Sequence, residues 1–150
     1  MSPNYPEIQT SPVTAEHLDD IIAIDAAVGG EERPDYFRTK LSRAIGDDPF
    51  TTSLVAKVGP KVVGFIMGDV LLGEFGVTGK TVTVDTIGVR PDYRRRGVAS
   101  TLLEDFLVSL HGLKVERVLT FVDWSDWDLM RYFHAQDFKP GSTLALERKL

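Results

Sequence analysis

A run of three arginines and a glycine, Arg94-Arg95-Arg96-Gly97, followed by Val98-Ala99-Ser100-Thr101, sets the chemistry to look for. The alternating β-branched stretch Thr81–Val89 before it reads as a strand. After it, Ala99, Leu102, Leu103, Phe106, Leu107 and Leu110 recur at helical spacing, so a helix over 97–110 has one apolar face. The first backbone N–H groups of a helix have no intrahelical partner. The helix dipole adds partial positive charge there. Gly97 and Ala99 carry almost no side chain, so a ligand can lie against the backbone. Helix stability alone would select Asp or Glu at this end, not three cations. An anion resolves the conflict, and a phosphate or pyrophosphate fits. The plain alternative, a solvated turn before an ordinary helix, leaves the small residues and their spacing unexplained.

Asp85 is the second candidate. It alternates with Thr83, Ile87 and Val89, so the four side chains are expected on one face. The preceding strand is apolar, which places this one centrally in a sheet, where a carboxylate needs a reason. Either a neighbouring hydroxyl or backbone amide satisfies it, or it is a general base acting directly or through water.

Arg94-x-x-Gly97-x-Ala99, after a strand ending Ile87-Gly88-Val89, resembles the acetyl-CoA-binding signature of the GNAT N-acetyltransferase superfamily. The likeness extends over most of the chain. It implies that acetyl-CoA sets its pyrophosphate on the amides of Arg95 to Thr101, beside Arg94 and Arg96. It also implies that the pantetheine arm pairs with the backbone of Ile87, Gly88 and Val89 as an added strand would. Central strands splay apart in this family, and their N–H groups polarise the thioester carbonyl. The acceptor amine then attacks directly, with Asp85 as the base. Family members often carry a carboxylate on this strand, commonly nearer position 83, where this chain has Thr83.

The segment Asp126 to Phe138, DWDLMRYFHAQDF, resembles the family's Asn…Tyr…Gly-Phe region. Asp126 stands where Asn is usual and Asp137 where Gly is usual. The Tyr that protonates the leaving thiolate lies five residues before the Phe, and that count reaches Phe133. Asp126 and Phe133 are therefore expected beside the cofactor. Tyr132 is one residue off and is expected about 100° around the helix. Tyr132, His134 or water is left as the proton source. On this register Tyr132→Phe should cost little, and Phe133→Tyr should leave turnover unchanged or raise it.

A base is needed on physical grounds. Neutralising a Lys-type amine at pH 7 costs about 4.6 kcal/mol, and an α-amine only about 1 kcal/mol. Tyr36, Phe37, Trp124 and Trp127 could line an acceptor pocket, or be ordinary core and rim residues. Glu31, Glu32 and Asp35 could attract a cationic amine, or form a solvated acidic loop.

The elements that must position these groups follow from the chain in order. Glu7–Val13 reads as a strand, and 14–28 as a helix capped by Thr14 and stopped by Gly29-Gly30. A second helix starts at Glu31-Glu32-Arg33-Pro34 and ends before the loop Gly46-Asp47-Asp48-Pro49. Thr51–Val58 and Lys61–Leu72 flank the turn Gly59-Pro60. A Gly-rich connection over 73–80 leads to the Thr81 strand. After the 97–110 helix come a strand over Arg117–Val122, a helix over Ser125–Ala135, and a last strand or two at Phe138 and Thr143–Arg148. The order β-α-α-β-β-β-α-β-α-β is similar to the whole GNAT fold. It predicts one α+β domain over 1–150: three αβα layers, with a mixed twisted sheet of six to seven strands and four helices.

With 150 residues, 43% hydrophobic and 26% charged, the chain has ordinary globular composition. A net charge of −5 argues against nucleic acid and weakly favours a cationic acceptor. There is no Cys, so disulfide and thiolate chemistry is excluded. His17, His111 and His134 show no ligand spacing, so no metal is expected. Without a signal peptide or long apolar run the default is cytoplasmic. The expected function is transfer of acetyl from acetyl-CoA to a primary amine, on a small molecule, lysine or protein N-terminus, with CoA as product. The alternative is a non-catalytic CoA-binding regulatory module. No nucleic-acid or membrane partner is expected, and a homodimer is allowed.

Overall fold

The computed structural model describes residues 7–45, 51–76 and 79–150. Its elements run β1 (Ile8–Pro12), α1 (Leu18–Gly29), α2 (Pro34–Ile45), β2 (Thr51–Val58), β3 (Lys61–Leu71), β4 (Thr81–Val89), α3 (Val98–His111), β5 (Arg117–Thr120) and α4 (Trp127–Ala135). The order read from the sequence is observed up to α4. The loop expected at Gly46-Asp47-Asp48-Pro49 lies outside the described residues, as do Val77 and Thr78 of the Gly-rich connection.

The sheet has five strands in the order β1-β2-β3-β4-β5, not six to seven. The first four are antiparallel neighbours and β5 runs parallel to β4. The missing strands are those expected at Phe138 and at Thr143–Arg148, where the chain forms neither helix nor strand. A strand needs a neighbour to satisfy its backbone, and among the described residues this segment pairs with none.

Two apolar clusters make the layers. Ile21, Ile24, Phe37 and Leu41 of α1 and α2 pack on Val55, Phe65 and Met67. Val98, Leu102, Leu103 and Phe106 of α3 pack on the other face, on Ala56, Ile66, Val82 and Val84. Phe133 brings α4 into that second cluster. The fold is thus mixed α+β, with helices on both faces.

Local sequence explains the α1–α2 corner. Gly30 adopts φ 83 and its N–H bonds the Ala26 carbonyl at 2.7 Å, ending α1. Asp25 sits among the apolar residues of α1 because Arg33 grips both its oxygens, at 2.9 and 2.7 Å. The same guanidinium lies 4.7 Å from the Tyr36 ring centre, which sets the first turn of α2.

Strand β4 carries an irregularity that the alternation did not reveal. Gly68 lies opposite Val84 and Met67 opposite Thr86, so Asp85 is an extra residue, a β-bulge. A bulge reverses which residues face which layer. Val82 and Val84 before it, and Ile87 and Val89 after it, all pack in the α3 layer. Asp85 instead joins Thr83 on the α2 side. The expectation that Thr83, Asp85, Ile87 and Val89 share a face therefore holds only for the first two.

Gly68 makes room for the bulge. A Cβ there would stand 2.1 Å from the Thr83 carbonyl oxygen and 3.1 Å from the Phe106 ring. Gly68→Ala should destabilise the fold by at least about 1–3 kcal/mol, the usual cost of overpacking. Urea unfolding measures it, and a change under about 0.5 kcal/mol would mean that the bulge does not depend on this close approach.

Candidate functional site

β4 and β5 pair only from Thr81↔Arg117 to Val84↔Thr120. The Thr120 hydroxyl donates to the Val84 carbonyl at 3.0 Å and closes the pairing. Beyond it β4 continues to Val89 while β5 has ended. Among the described residues no strand pairs with the β5 side of Asp85–Val89. The expected splay is present, and Ile87, Gly88 and Val89 line its edge.

The loop at the end of that edge has an open, uncapped backbone into which an anion fits. Arg95 and Gly97 both have left-handed φ, 61° and 81°, on either side of Arg96. Such alternation turns successive N–H groups toward one concavity. Gly97 is the N-cap of α3, with no side-chain cap and no acid in the first turn. Nothing lies within 4 Å of where a Gly97 Cβ would stand. Arg94 and Arg95 are exposed. Arg96 lies over the Tyr93 ring, 5.0 Å from its centre. Val98 is buried in the core, so it offers only its backbone amide. Thr101 already spends its amide on the Gly97 carbonyl at 3.0 Å, so the amides open to a phosphate end at Ser100. These features fit a pyrophosphate, with Ala99 leaving the approach clear.

An open cavity of about 760 Å³ adjoins the splay on the α2 side. Asp35, Tyr36, Thr39, Lys40 and Arg43 of α2 line it, with Asp69, Val84, Asp85 and Phe121. Its acids are Asp35, Asp69 and Asp85, against the cations Lys40 and Arg43. At its floor the Lys40 ammonium bridges two carboxylates, donating to Asp69 at 3.0 Å and more closely to Asp85. Thr83 donates to the other Asp85 oxygen at 2.7 Å. Asp69 Oδ1 is buried with no hydrogen-bond partner.

These contacts separate the two aspartates. Burial pushes the Asp85 carboxyl up, but Lys40 and Thr83 outweigh it and hold it below the usual range. Burial and the neighbouring Asp85 hold Asp69 above that range, against the pull of Lys40. Burial would lower the Lys40 pKa, but its bonds to Asp85 and Asp69 raise it overall. Asp85 is thus a satisfied ion-pair member, and Asp69 is the more basic of the two, its Oδ1 closed off from solvent. Lys40 and Asp69 were missed because helix α2 and strand β3 meet only in the fold. A lone carboxylate in the apolar run KVVGFIMGDVL was the available signal for Asp69.

Helix α4 reverses another expectation. Phe133 is 4% exposed and packs edge-on to Phe138, with ring centres 5.1 Å apart, so it belongs to the core and not to the cleft. Tyr132 is half-buried, and its hydroxyl is buried beside Ser100 in the first turn of α3, with no hydrogen bond of normal length. Burial raises its pKa, which Ser100 only partly offsets, so it remains protonated at neutral pH. Asp126 caps α4, accepting from the Leu129 amide at 3.1 Å. His134 is exposed on the last turn. Among the aromatic candidates Tyr36 lines the cavity, Phe37 is fully buried, and Trp124 and Trp127 are surface residues outside the cavity lining. Of the acidic loop only Asp35 reaches the cavity. No cluster of His, Cys, Asp or Glu among the described residues could hold a metal.

Known proteins place this geometry. An aminoglycoside N-acetyltransferase, AAC(6')-Iy, solved in complex with CoA, is similar with a TM-score of 0.82 and 15% identity, covering 99% of each chain. A transcriptional regulator from Bacillus halodurans C-125 is similar with a TM-score of 0.80 and 17% identity, over 96% of this chain and 100% of that one. A ribosomal-protein-alanine N-acetyltransferase from Brucella melitensis biovar Abortus 2308 gives 0.73 and 16%, over 96% and 100%. No curated protein sequence matches the chain. The profile of the Acetyltransferase (GNAT) family matches residues 18–136, which include the splayed strand, the anion loop and the acid cavity, and the chain belongs to that family.

Proposed function

We propose that this protein transfers acetyl from acetyl-CoA to a cationic primary amine that enters the α2-side cavity. The observation that carries the reading is the pair Asp69 and Asp85, bridged by Lys40 in the lining of a cavity that opens at the β4–β5 splay. Acetyl-CoA supplies an activated acyl group on a thiolate leaving group. The chain's own residues supply the rest.

The open amides of Arg95 to Ser100 and the exposed Arg94 and Arg95 would hold the pyrophosphate. The free edge of Ile87–Val89 would hold the pantetheine amides and offer N–H groups to the thioester oxygen. An ammonium acceptor is drawn in by Asp35, Asp69 and Asp85. Lys40 keeps Asp85 ionised and holds Asp69 by Oδ2, and the more basic carboxylate of Asp69 would take the proton. Asp69 replaces Asp85 as the base because it lines the same cavity and its pKa lies higher. Tyr132 is the proton donor to the departing sulfur, since its hydroxyl lies at the first turn of α3.

Cofactor binding is tested at Gly97. Asn tolerates the left-handed region, so Gly97→Asn controls for backbone strain. Gly97→Asp adds a negative charge of nearly the same shape and should weaken CoA binding roughly tenfold or more beyond Gly97→Asn. Calorimetric titration giving equal affinities would place the anion site elsewhere.

The base is tested by pH. Asp69→Asn should lower kcat/KM by about 10²–10⁴-fold. In the parent, the acidic limb of kcat/KM should lie above the ordinary carboxylate range. Lys40 stabilises the charged forms of both aspartates, so removing it raises both pKa values. Lys40→Met should therefore move that limb to higher pH, and an unmoved limb would exclude the aspartate pair as the base.

The acid is tested at α4. Tyr132→Phe should lower kcat by about 10²-fold or more while the affinity for acetyl-CoA stays within about threefold. A loss under about threefold would leave water or His134 as the donor. Phe133→Tyr should lose stability rather than gain turnover, because its hydroxyl would enter the core beside Phe138.

A further inference from the structure

The cavity already contains a primary amine. Lys40 reaches its floor from α2, one helical turn after Tyr36. Its ammonium sits between Asp69 and Asp85. The Lys40 side chain is only 10% exposed. The Tyr36 hydroxyl meets the Thr86 hydroxyl at 3.4 Å, so this part of α2 lies across β4 where the strands part. Asp85 is the bulged residue at that level and stands two positions before Ile87. A foreign ammonium drawn to the two carboxylates would take the place that Lys40 holds. Whatever suits such an acceptor here suits Lys40 as well: a base in bond contact, a neighbouring free strand edge, and a tether that keeps the amine in position.

We infer that Lys40 is itself an acetyl acceptor: with acetyl-CoA on the β4 edge and no foreign amine in the cavity, the chain acetylates its own Lys40 side chain. The inference rests on the cofactor placement proposed above. Lys40 gives up two protons. The first passes to Asp69, its partner at 3.0 Å and the more basic of the two carboxylates. The freed amine attacks the thioester carbon; a C–N bond forms and the C–S bond breaks. The second proton leaves the nitrogen for the departing thiolate, which becomes the CoA thiol, and Asp69 returns its proton to solvent. The product is a neutral amide that no longer joins the aspartates as a cation. The two carboxylates then face each other without their counter-ion, so the modified chain acquires the pH dependence expected of Lys40→Met.

The other lysines provide the contrast. Lys61, Lys80, Lys114, Lys139 and Lys149 are exposed. Acetyl transfer from solution without the site's help favours these, because Lys40 is covered and already paired. A preference for Lys40 therefore reports chemistry performed by the folded site.

Chain incubated with acetyl-CoA alone, then digested and mapped by tandem mass spectrometry, should carry acetyl on Lys40 roughly tenfold or more ahead of each exposed lysine. The rate per chain should not change with protein concentration, since so covered a lysine serves only its own site. Excess CoA should suppress labelling of Lys40 and leave the exposed lysines as they were. Chain that carries acetyl on Lys40 from expression is judged against Gly97→Asp made alike: the variant should lack it, and its presence there overturns the inference. Labelling of Lys40 that rises with protein concentration, or persists under excess CoA, overturns it too. Calorimetric titration of the same sample with CoA separates the two remaining failures. If CoA binds and Lys40 is labelled no faster than the exposed lysines, self-acetylation is overturned and the proposed function survives. If CoA does not bind, both are overturned.

Discussion

The parting of β4 from its neighbour after Val84 is the constraint on which the molecule depends. A sheet does not readily leave backbone groups unpaired in its middle. Here the parallel ladder stops at Thr120, whose hydroxyl finishes it, and β4 runs on alone along one edge. The bulge at Asp85 falls at the same level on the opposite edge. It lets β4 turn its apolar residues to α3 both before and after the break. It also delivers one carboxylate to the α2 face at the point where the strands part. The free strand edge and the cavity, which we propose hold cofactor and acceptor, are therefore two sides of one irregularity.

Electrostatics at the cavity floor follow from that placement. Two carboxylates on adjacent strands would repel if both ionised without a counter-ion. Lys40, from a helix in the layer above, makes the arrangement tolerable, and it does so unequally. Asp85 receives Lys40 and Thr83, whereas Asp69 receives Lys40 on one oxygen only. The inequality gives Asp85 the fuller set of bonds and leaves Asp69 the more basic of the two. The Arg33 fork on Asp25 performs a related service nearby, holding the start of α2 and with it Tyr36 at the cavity wall.

What the sequence disclosed was local. The strand–turn–helix junction at Arg94–Thr101 was legible because strand, small residues, arginines and helix are contiguous, and the splay followed from the family resemblance. Face assignment along β4 failed because one inserted residue in a pairing register leaves no mark on a single strand's composition. Lys40 and Asp69 were hidden because Asp69 lies 29 positions after its partner lysine. The α4 register misled because it was counted from Phe138, which here packs on Phe133 instead of marking the cleft. The final strand was visible as a pattern, but alternation alone does not say which neighbour a strand pairs with, and among the described residues this segment pairs with none.

The bare start of α3 has a consequence beyond recognition. A helix capped by glycine instead of a side chain forgoes roughly a few tenths of a kcal/mol, and cationic neighbours deepen the deficit. An anion held there makes up the difference, so occupancy and folded population rise together. If the site holds what we propose, the lifetime of the protein against proteolysis tracks the supply of its own acyl donor: a starved cell would clear the enzyme faster than a fed one, without any dedicated degradation signal.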